Sequence, residues 1–174
     1  MTKRQTMPIK IAVISDTHCY EWHDIHPDMR TLVAECDIAI HCGDIVRQPV
    51  VEGFLKSAKR GLIVHGNSDP VDLRESLPYT QVIEVEKIKI GITHPAWGGP
   101  EFPPSELFKD FDEALDIILF GHTHEPLIQN ISGTLFVNPG QGYKSFMVDG
   151  TMAVITIDNG VADAEIVVIE SGRS

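Results

Sequence analysis

The feature that most constrains the fold is a repeated junction, in which a short apolar, β-branched run ends abruptly on a side chain able to bind metal or move a proton. Residues 9–15 (IKIAVIS) lead into Asp16-Thr17-His18, residues 37–41 (DIAIH) into Cys42-Gly43-Asp44, and residues 62–65 into Gly66-Asn67-Ser68-Asp69-Pro70. Between these junctions lie segments with helical spacing. Met29, Leu32, Val33 and Cys36 share a face over residues 28–36, and Val50, Val51, Phe54 and Leu55 do so over residues 49–57, where a proline sits early. Strand, polar turn, helix, strand is the pattern of a largely parallel sheet, whose ligands gather beyond the carboxyl ends of the strands.

The second half changes character. Residues 81–86 and 88–93 read as adjacent strands, followed by a Pro/Gly-rich loop over 95–104 and a helix over 105–114. Residues 117–120 form an apolar strand ending in Gly121-His122-Thr123-His124. Further strands are expected over 127–130, 135–137, 145–149 and 152–158, with 162–169 closing a sheet. Gly133, Gly150 and Asn159-Gly160 supply turns, and Asp158-Asn159-Gly160 marks an antiparallel hairpin. No repeat or composition break divides the 174 residues, so one domain is expected over residues 1–174, with its core at about 9–169. The expected architecture is a layered α/β/β/α sandwich, two mixed sheets flanked by helices. A chain of this length buries roughly 70% of its unfolded surface and needs no metal merely to fold.

Composition narrows the partners. With Lys+Arg 14 against Asp+Glu 25 the chain carries a formal charge of −11, which disfavours duplex nucleic acid. No apolar run approaches the roughly 18 to 20 residues of a membrane helix. The three cysteines, Cys19, Cys36 and Cys42, form no C-x-x-C pair, so a reducing cytoplasm is the expected location.

The chemistry lies at the junctions. Asp16 and His18 stand at i and i+2, so an extended backbone would point both side chains the same way, and His122 and His124 repeat that spacing after Gly121. Asp44, Asn67 and His94 each end a separate expected strand. An isolated strand-end Asp is ordinarily a turn or cap residue. Seven oxygen and nitrogen donors at the same end of five strands form a metal-binding constellation, one that suits Mn²⁺, Fe, Zn²⁺ or Ni²⁺ better than a soft metal.

In order and spacing, Asp16-Thr17-His18, Gly43-Asp44, Gly66-Asn67-Ser68-Asp69, Thr93-His94-Pro95 and Gly121-His122-Thr123-His124 resemble the signature of the calcineurin-like metallophosphoesterases. The short chain, and Asn138-Pro139-Gly140 after the histidines, resemble the small bacterial and archaeal phosphodiesterase branch. The resemblance implies two divalent cations, with Mn²⁺ the leading candidate. One would take Asp16, His18, Asp44 and His124, the other Asp44, Asn67, His94 and His122, and Asp44 would bridge. It further implies that Asp16, Asp44, Asn67 and His94 act in catalysis, and that a metal-bridging hydroxide attacks phosphorus in line. The expected substrate is small and phosphorylated, a nucleotide-like or aryl phosphodiester ahead of a monoester, and the reading leaves room for a homo-oligomer.

Two departures from the family pattern bear on rate. Ser68 stands where many relatives carry a histidine able to protonate the leaving group, so either the leaving oxygen needs little protonation or another group, such as Asp69 or a histidine from elsewhere, substitutes. Pro95 follows His94 where glycine is common, restricting His94 toward extended geometry. Trp97 and Phe102 offer an apolar rim, although a loop tryptophan is more often packed. Trp22, His23 and His26 follow the first ligand pair, His41 and His65 read as bracing or packed residues, and Lys144 reads as solvated. No arginine clamp is evident in the sequence. The alternatives are a protein-interaction scaffold of the same fold, like the retromer subunit that has lost metal ligands, and a module that binds nucleotide or metal without turnover.

Overall fold

In the computed structural model, which describes residues 6–97 and 101–173, the first half of the chain builds one sheet and the helices outside it. Strand β1 (Ile9–Ile14) pairs in parallel with β2 (Ile38–His41), and β2 pairs in parallel with β3 (Gly61–Ile63). Helices α1 (Pro27–Glu35) and α2 (Gln48–Ser57) make the crossovers, and a short α3 (Val71–Ser76) follows β3. The second sheet contains β4 (Thr80–Val85), β5 (Ile88–Thr93), β6 (Ile117–Phe120), β7 (Leu127–Ile131) and β8 (Thr134–Asn138), in the order β4-β5-β6-β8-β7. The chain then returns to the first sheet through β9 (Gly150–Asp158) and β10 (Val161–Glu170), giving the order β10-β9-β1-β2-β3.

Alternation along β1 shows why the strands sit between two layers. Ile11 and Val13 enter the core between the sheets with Ile40, Ile90, Ile92, Leu119 and Ile155. Ala12 and Ile14 face the other way, into the layer formed by Met29, Val33, Val50 and Phe54 of the helices. A strand buried on both faces reads as a continuous apolar run, which is what makes it visible in the sequence. The outer face of the second sheet is covered by Leu107 and Leu115, which pack on Ile118, Phe120 and Phe136. The expected two-sheet, helix-flanked layering is observed, as is the antiparallel hairpin at Asn159-Gly160.

Four features differ from expectation. The helix expected over residues 105–114 is a 3₁₀ segment, Pro104–Asp110. Prolines 103 and 104 start it, and Leu107 is buried while Asp110, three residues on, is bonded to Thr93; this i, i+3 demand suits 3.0 residues per turn. Residues 145–149 are a tight turn closed by a Ser145–Val148 bridge, with Phe146 91% exposed, so their apolar side chains pack on nothing that would hold a strand. Gly150 begins β9 rather than making a turn. α3 has no strong apolar periodicity and was not expected. Among the described residues no helix is long and apolar enough to cross a membrane.

Candidate metal centre

The loops that follow β1, β2, β3, β5 and β6 converge on one spot. His18 Nε2 lies 3.5 Å from Asp44 Oδ2, and His124 Nε2 lies 3.3 Å from Asp16 Oδ1. One ligand atom from each of Asp16, His18, Asp44 and His124 lies within 4.8 Å of all the others. Beside this group His94 Nε2 stands 3.5 Å from Asp44 Oδ2 and 2.8 Å from Asn67 Oδ1, and Asn67 Oδ1 is 3.0 Å from His122 Nδ1. All seven residues singled out in the sequence are therefore brought together, with Asp44 between the two subsets.

The backbone that does this is not extended. Asp16 (φ 51°), His18 (φ 41°), Asp44 (φ 58°), His122 (φ 86°) and His124 (φ 62°) all occupy the left-handed region, which is sterically costly for residues with a Cβ. The i, i+2 argument thus reached the right convergence through the wrong local geometry. Long-range bonds hold the loops in place: Asp16 N donates to Gly43 O at 2.9 Å, and Ser15 Oγ and His122 N both donate to Asp16 Oδ2. Asp69, 2% exposed, accepts from the backbone N–H groups of Asp44, Val46 and Gly66 and so ties the second loop to the third. Close approach explains two glycines. A Cβ on Gly66 would strike Asp44 Oδ1, and one on Gly121 would strike Ser15 Oγ and approach Asp16 Oδ2 and His94 Nδ1.

The hydrogen bonds also fix which ring atoms carry lone pairs. Gln141 donates its amide to Tyr143 O and Ser145 Oγ, so its Oε1 accepts from His124 Nδ1 at 3.2 Å and the neutral ring turns a lone pair on Nε2 toward Asp16. His94 Nδ1 donates to Cys42 O at 2.8 Å, which leaves its Nε2 as an acceptor facing Asn67 Oδ1 and Asp44. Acceptors facing acceptors need a proton or a cation between them. Asp16 Oδ1 and His18 Nε2 are buried with no hydrogen-bond partner among the described residues. The donor set, hard oxygen and imidazole nitrogen with inward lone pairs, fits divalent metal.

The electrostatics agree. Burial alone would raise the Asp16 carboxyl, but His124, His94 and Ser15 outweigh it and hold the group below its ordinary value. Burial likewise opposes ionisation of Asp44, and His18, His94 and the Ser68 N–H override it. His124 is raised, chiefly by its contact with Asp16, so that a proton there does part of what a cation would do. His41 is pushed down to about 3 by burial. Its Nδ1 accepts from Gly43 N and its Nε2 bonds Thr17 Oγ1 at 2.9 Å, so a neutral ring braces two of the ligand loops.

Other expected participants lie elsewhere. Both Asp69 oxygens are occupied by backbone donors, so it is not positioned to replace the missing acid. Trp97 donates to Asp110 at 2.8 Å and packs on Phe102, and is thus anchored rather than a free rim; Phe102 stacks near the His122 ring. Residues 98–100 of the expected rim lie outside the described residues. His23 pairs with Glu21, His26 caps α1, Trp22 packs on Phe54, His65 lies against Tyr79, and Lys144 pairs with Glu170. Ser15 and Gln141, which orient two of the ligands, were not singled out; their only sequence signal is adjacency to Asp16 and to Asn138-Pro139-Gly140. Asn138 itself donates to Thr123 Oγ1, steadying the histidine loop.

A two-sheet α/β fold with an Asp/His cluster at its strand ends defines the class as a candidate metal-binding α/β domain. Residues 9–160 match the model of the calcineurin-like phosphoesterase superfamily domain, and the chain belongs to that family. It is 31% identical over 135 residues to a probable metallophosphoesterase of Methanocaldococcus jannaschii, a match spanning 75% of this chain and 66% of that relative. A phosphodiesterase of the same organism is 27% identical over 150 residues, covering 76% of this chain and 84% of the relative. Among solved structures, a Thermotoga maritima protein superposes with a TM-score of 0.71 at 35% identity, covering 92% of this chain and 99% of that one. Vacuolar Protein Sorting 29 from Cryptosporidium parvum shares the fold, with a TM-score of 0.72 at 19% identity over 95% of this chain and 100% of that one.

Proposed function

We propose that this protein is a two-cation phosphodiesterase acting on small phosphorylated substrates, with Mn²⁺ as the working metal. The observation that carries the reading is the set of inward-facing acceptors, Asp16 Oδ1, His18 Nε2, His94 Nε2 and His124 Nε2, gathered around Asp44. Asp16, His18, Asp44 and His124 would hold one cation, and Asp44, Asn67, His94 and His122 the other. When bound, the cations offset the charge on the phosphate oxygens and supply a water acidic enough to attack phosphorus at neutral pH.

The chain's own groups do the remaining work. Buried Asp16 and Asp44 stay ionised at neutral pH, giving the centre fixed negative charge without proton uptake. Gln141 and the Cys42 carbonyl lock the tautomers of His124 and His94, so each ring presents a lone pair inward. Asn67 and Ser68 are exposed at the opening, where a substrate arrives. The Ser68 hydroxyl is a poor acid, which favours esters whose leaving oxygen tolerates negative charge. An open site without a strong proton donor supports diesters with good leaving groups over alkyl monoesters.

Metal-stripped protein, reloaded with Mn²⁺, is expected to hydrolyse bis(p-nitrophenyl) phosphate faster than p-nitrophenyl phosphate. Asp44→Asn is expected to lower the metal-dependent rate at least about a hundredfold while the melting curve stays cooperative, because the charge shared by the two subsets is lost and the core is untouched. Silence on both esters with Mn²⁺, Ni²⁺ and Zn²⁺, or full activity in Asp44→Asn, overturns the proposal.

A further inference from the structure

Beside the metal ligands a cleft of about 370 Å³ opens, bounded by His18 and Ser68 of the centre together with Tyr20, Val46, Arg47 and Pro70. Arg47 rests its guanidinium 4.5 Å from the centroid of the exposed Tyr20 ring and forms no ion pair with a described carboxylate. In a chain with 25 acidic residues, several cations are neutralised locally: Lys89, Lys109 and Lys144 each pair with a glutamate. A guanidinium held over an aromatic ring, with no carboxylate partner among the described residues, keeps N–H donors available to an anion.

The backbone is bent to put Arg47 there. Val46 has φ 63°, and Arg47 N donates to Ile45 O at 2.9 Å, closing a positive-φ γ-turn centred on a β-branched residue. That conformation is rare and strained, and such strain gathers at ligand clamps. It is held by the bond from Val46 N to Asp69 Oδ1 at 2.7 Å, on the same carboxylate that binds Asp44 N. Arg47 is also the N-cap of the ten-residue α2 and receives no capping bond from its side chain, so the positive end of the helix adds to its charge.

We infer that this cleft is a subsite for a second phosphate on the substrate, gripped by Arg47 over Tyr20, so that preferred esters carry phosphate both at the scissile position and in the group beyond it. The inference rests on the phosphoesterase reading for the neighbouring centre. It supplies the arginine contact that the sequence did not disclose, and makes Arg47 a specificity residue rather than a catalytic one.

The test compares the 5′-p-nitrophenyl phosphate ester of thymidine with and without a 3′-phosphate, on the Mn²⁺-loaded protein and on Arg47→Gln, Arg47→Lys and Arg74→Gln. The wild type is expected to prefer the 3′-phosphorylated ester. Arg47→Gln lowers that preference about tenfold, mainly through KM, and Arg47→Lys keeps part of it. Arg74→Gln, a charge loss on α3, keeps the wild-type preference. An unchanged preference in Arg47→Gln, or equal loss on both esters, overturns the inference. Titration calorimetry with thymidine 3′,5′-bisphosphate and thymidine 5′-phosphate reads the same subsite without turnover. Tighter binding of the bisphosphate that Arg47→Gln removes supports the subsite even where neither ester is hydrolysed, an outcome in which only the phosphoesterase reading fails. Equal affinities in the wild type overturn the subsite itself.

Discussion

At the scale of single residues, His41 shows how a side chain that touches no substrate can govern the site. It is fully buried, bonds both Thr17 and Gly43, and is pushed down to about 3 from 6.5 by burial. In the fold it stays neutral, whereas the unfolded chain takes up a proton below pH 6.5. Its contribution to stability is therefore complete above pH 6.5 and is lost as pH falls toward 3, by an amount on the order of a few kcal/mol. Urea denaturation of the metal-free protein at a series of pH values is expected to show this slope, and His41→Asn to flatten it. Asp69→Asn addresses a second such residue. One carboxylate oxygen becomes an amide donor facing backbone N–H groups, so the variant is expected to lose about 2 to 4 kcal/mol in the same titration and to bind Mn²⁺ about ten- to a hundredfold more weakly.

Among elements, the strands were legible and the loops were not. β1, β2 and β6 are buried on both faces, and burial writes itself into the sequence as β-branched runs with donors at their ends. That was enough to single out seven residues that the structure brings together. Handedness was beyond reach, because Asp16 and Asp44 are held left-handed by bonds to segments 25 or more residues away, such as Asp16 N to Gly43 O and Asp44 N to Asp69. Arg47 was hidden for the same reason, since its direction depends on a strained turn. The 145–149 run misled because its apolar residues are exposed. One consequence is local to the β6 loop: Gly121→Ala places a methyl against Ser15, Asp16 and His94. Metal-dependent turnover is expected to fall more than about tenfold while the β6 core, one residue earlier, keeps the domain folded, with activity and circular dichroism read in parallel.

For the whole molecule, the centre joins the two sheets at the ends of their strands, so occupancy should be felt globally. At about a hundred times its dissociation constant a cation adds roughly 2.7 kcal/mol. For a domain of this size that raises the melting temperature by about 5 to 10 °C, a shift that calorimetry with and without Mn²⁺ would detect and that Asp44→Asn should largely erase. The left-handed residues of the ligand loops carry a last consequence. Five of the seven clustered side chains sit on backbone that glycine would occupy with less strain, and the cluster crowds acidic and basic groups into a small space that a cation would relax. Without metal, the chemistry and the fold therefore pull in opposite directions at the same positions. Replacing His18 or His124 with glycine would relieve the backbone while removing a donor from the cluster, so the metal-free domain is expected to tolerate, or gain stability from, the very changes that weaken cation binding.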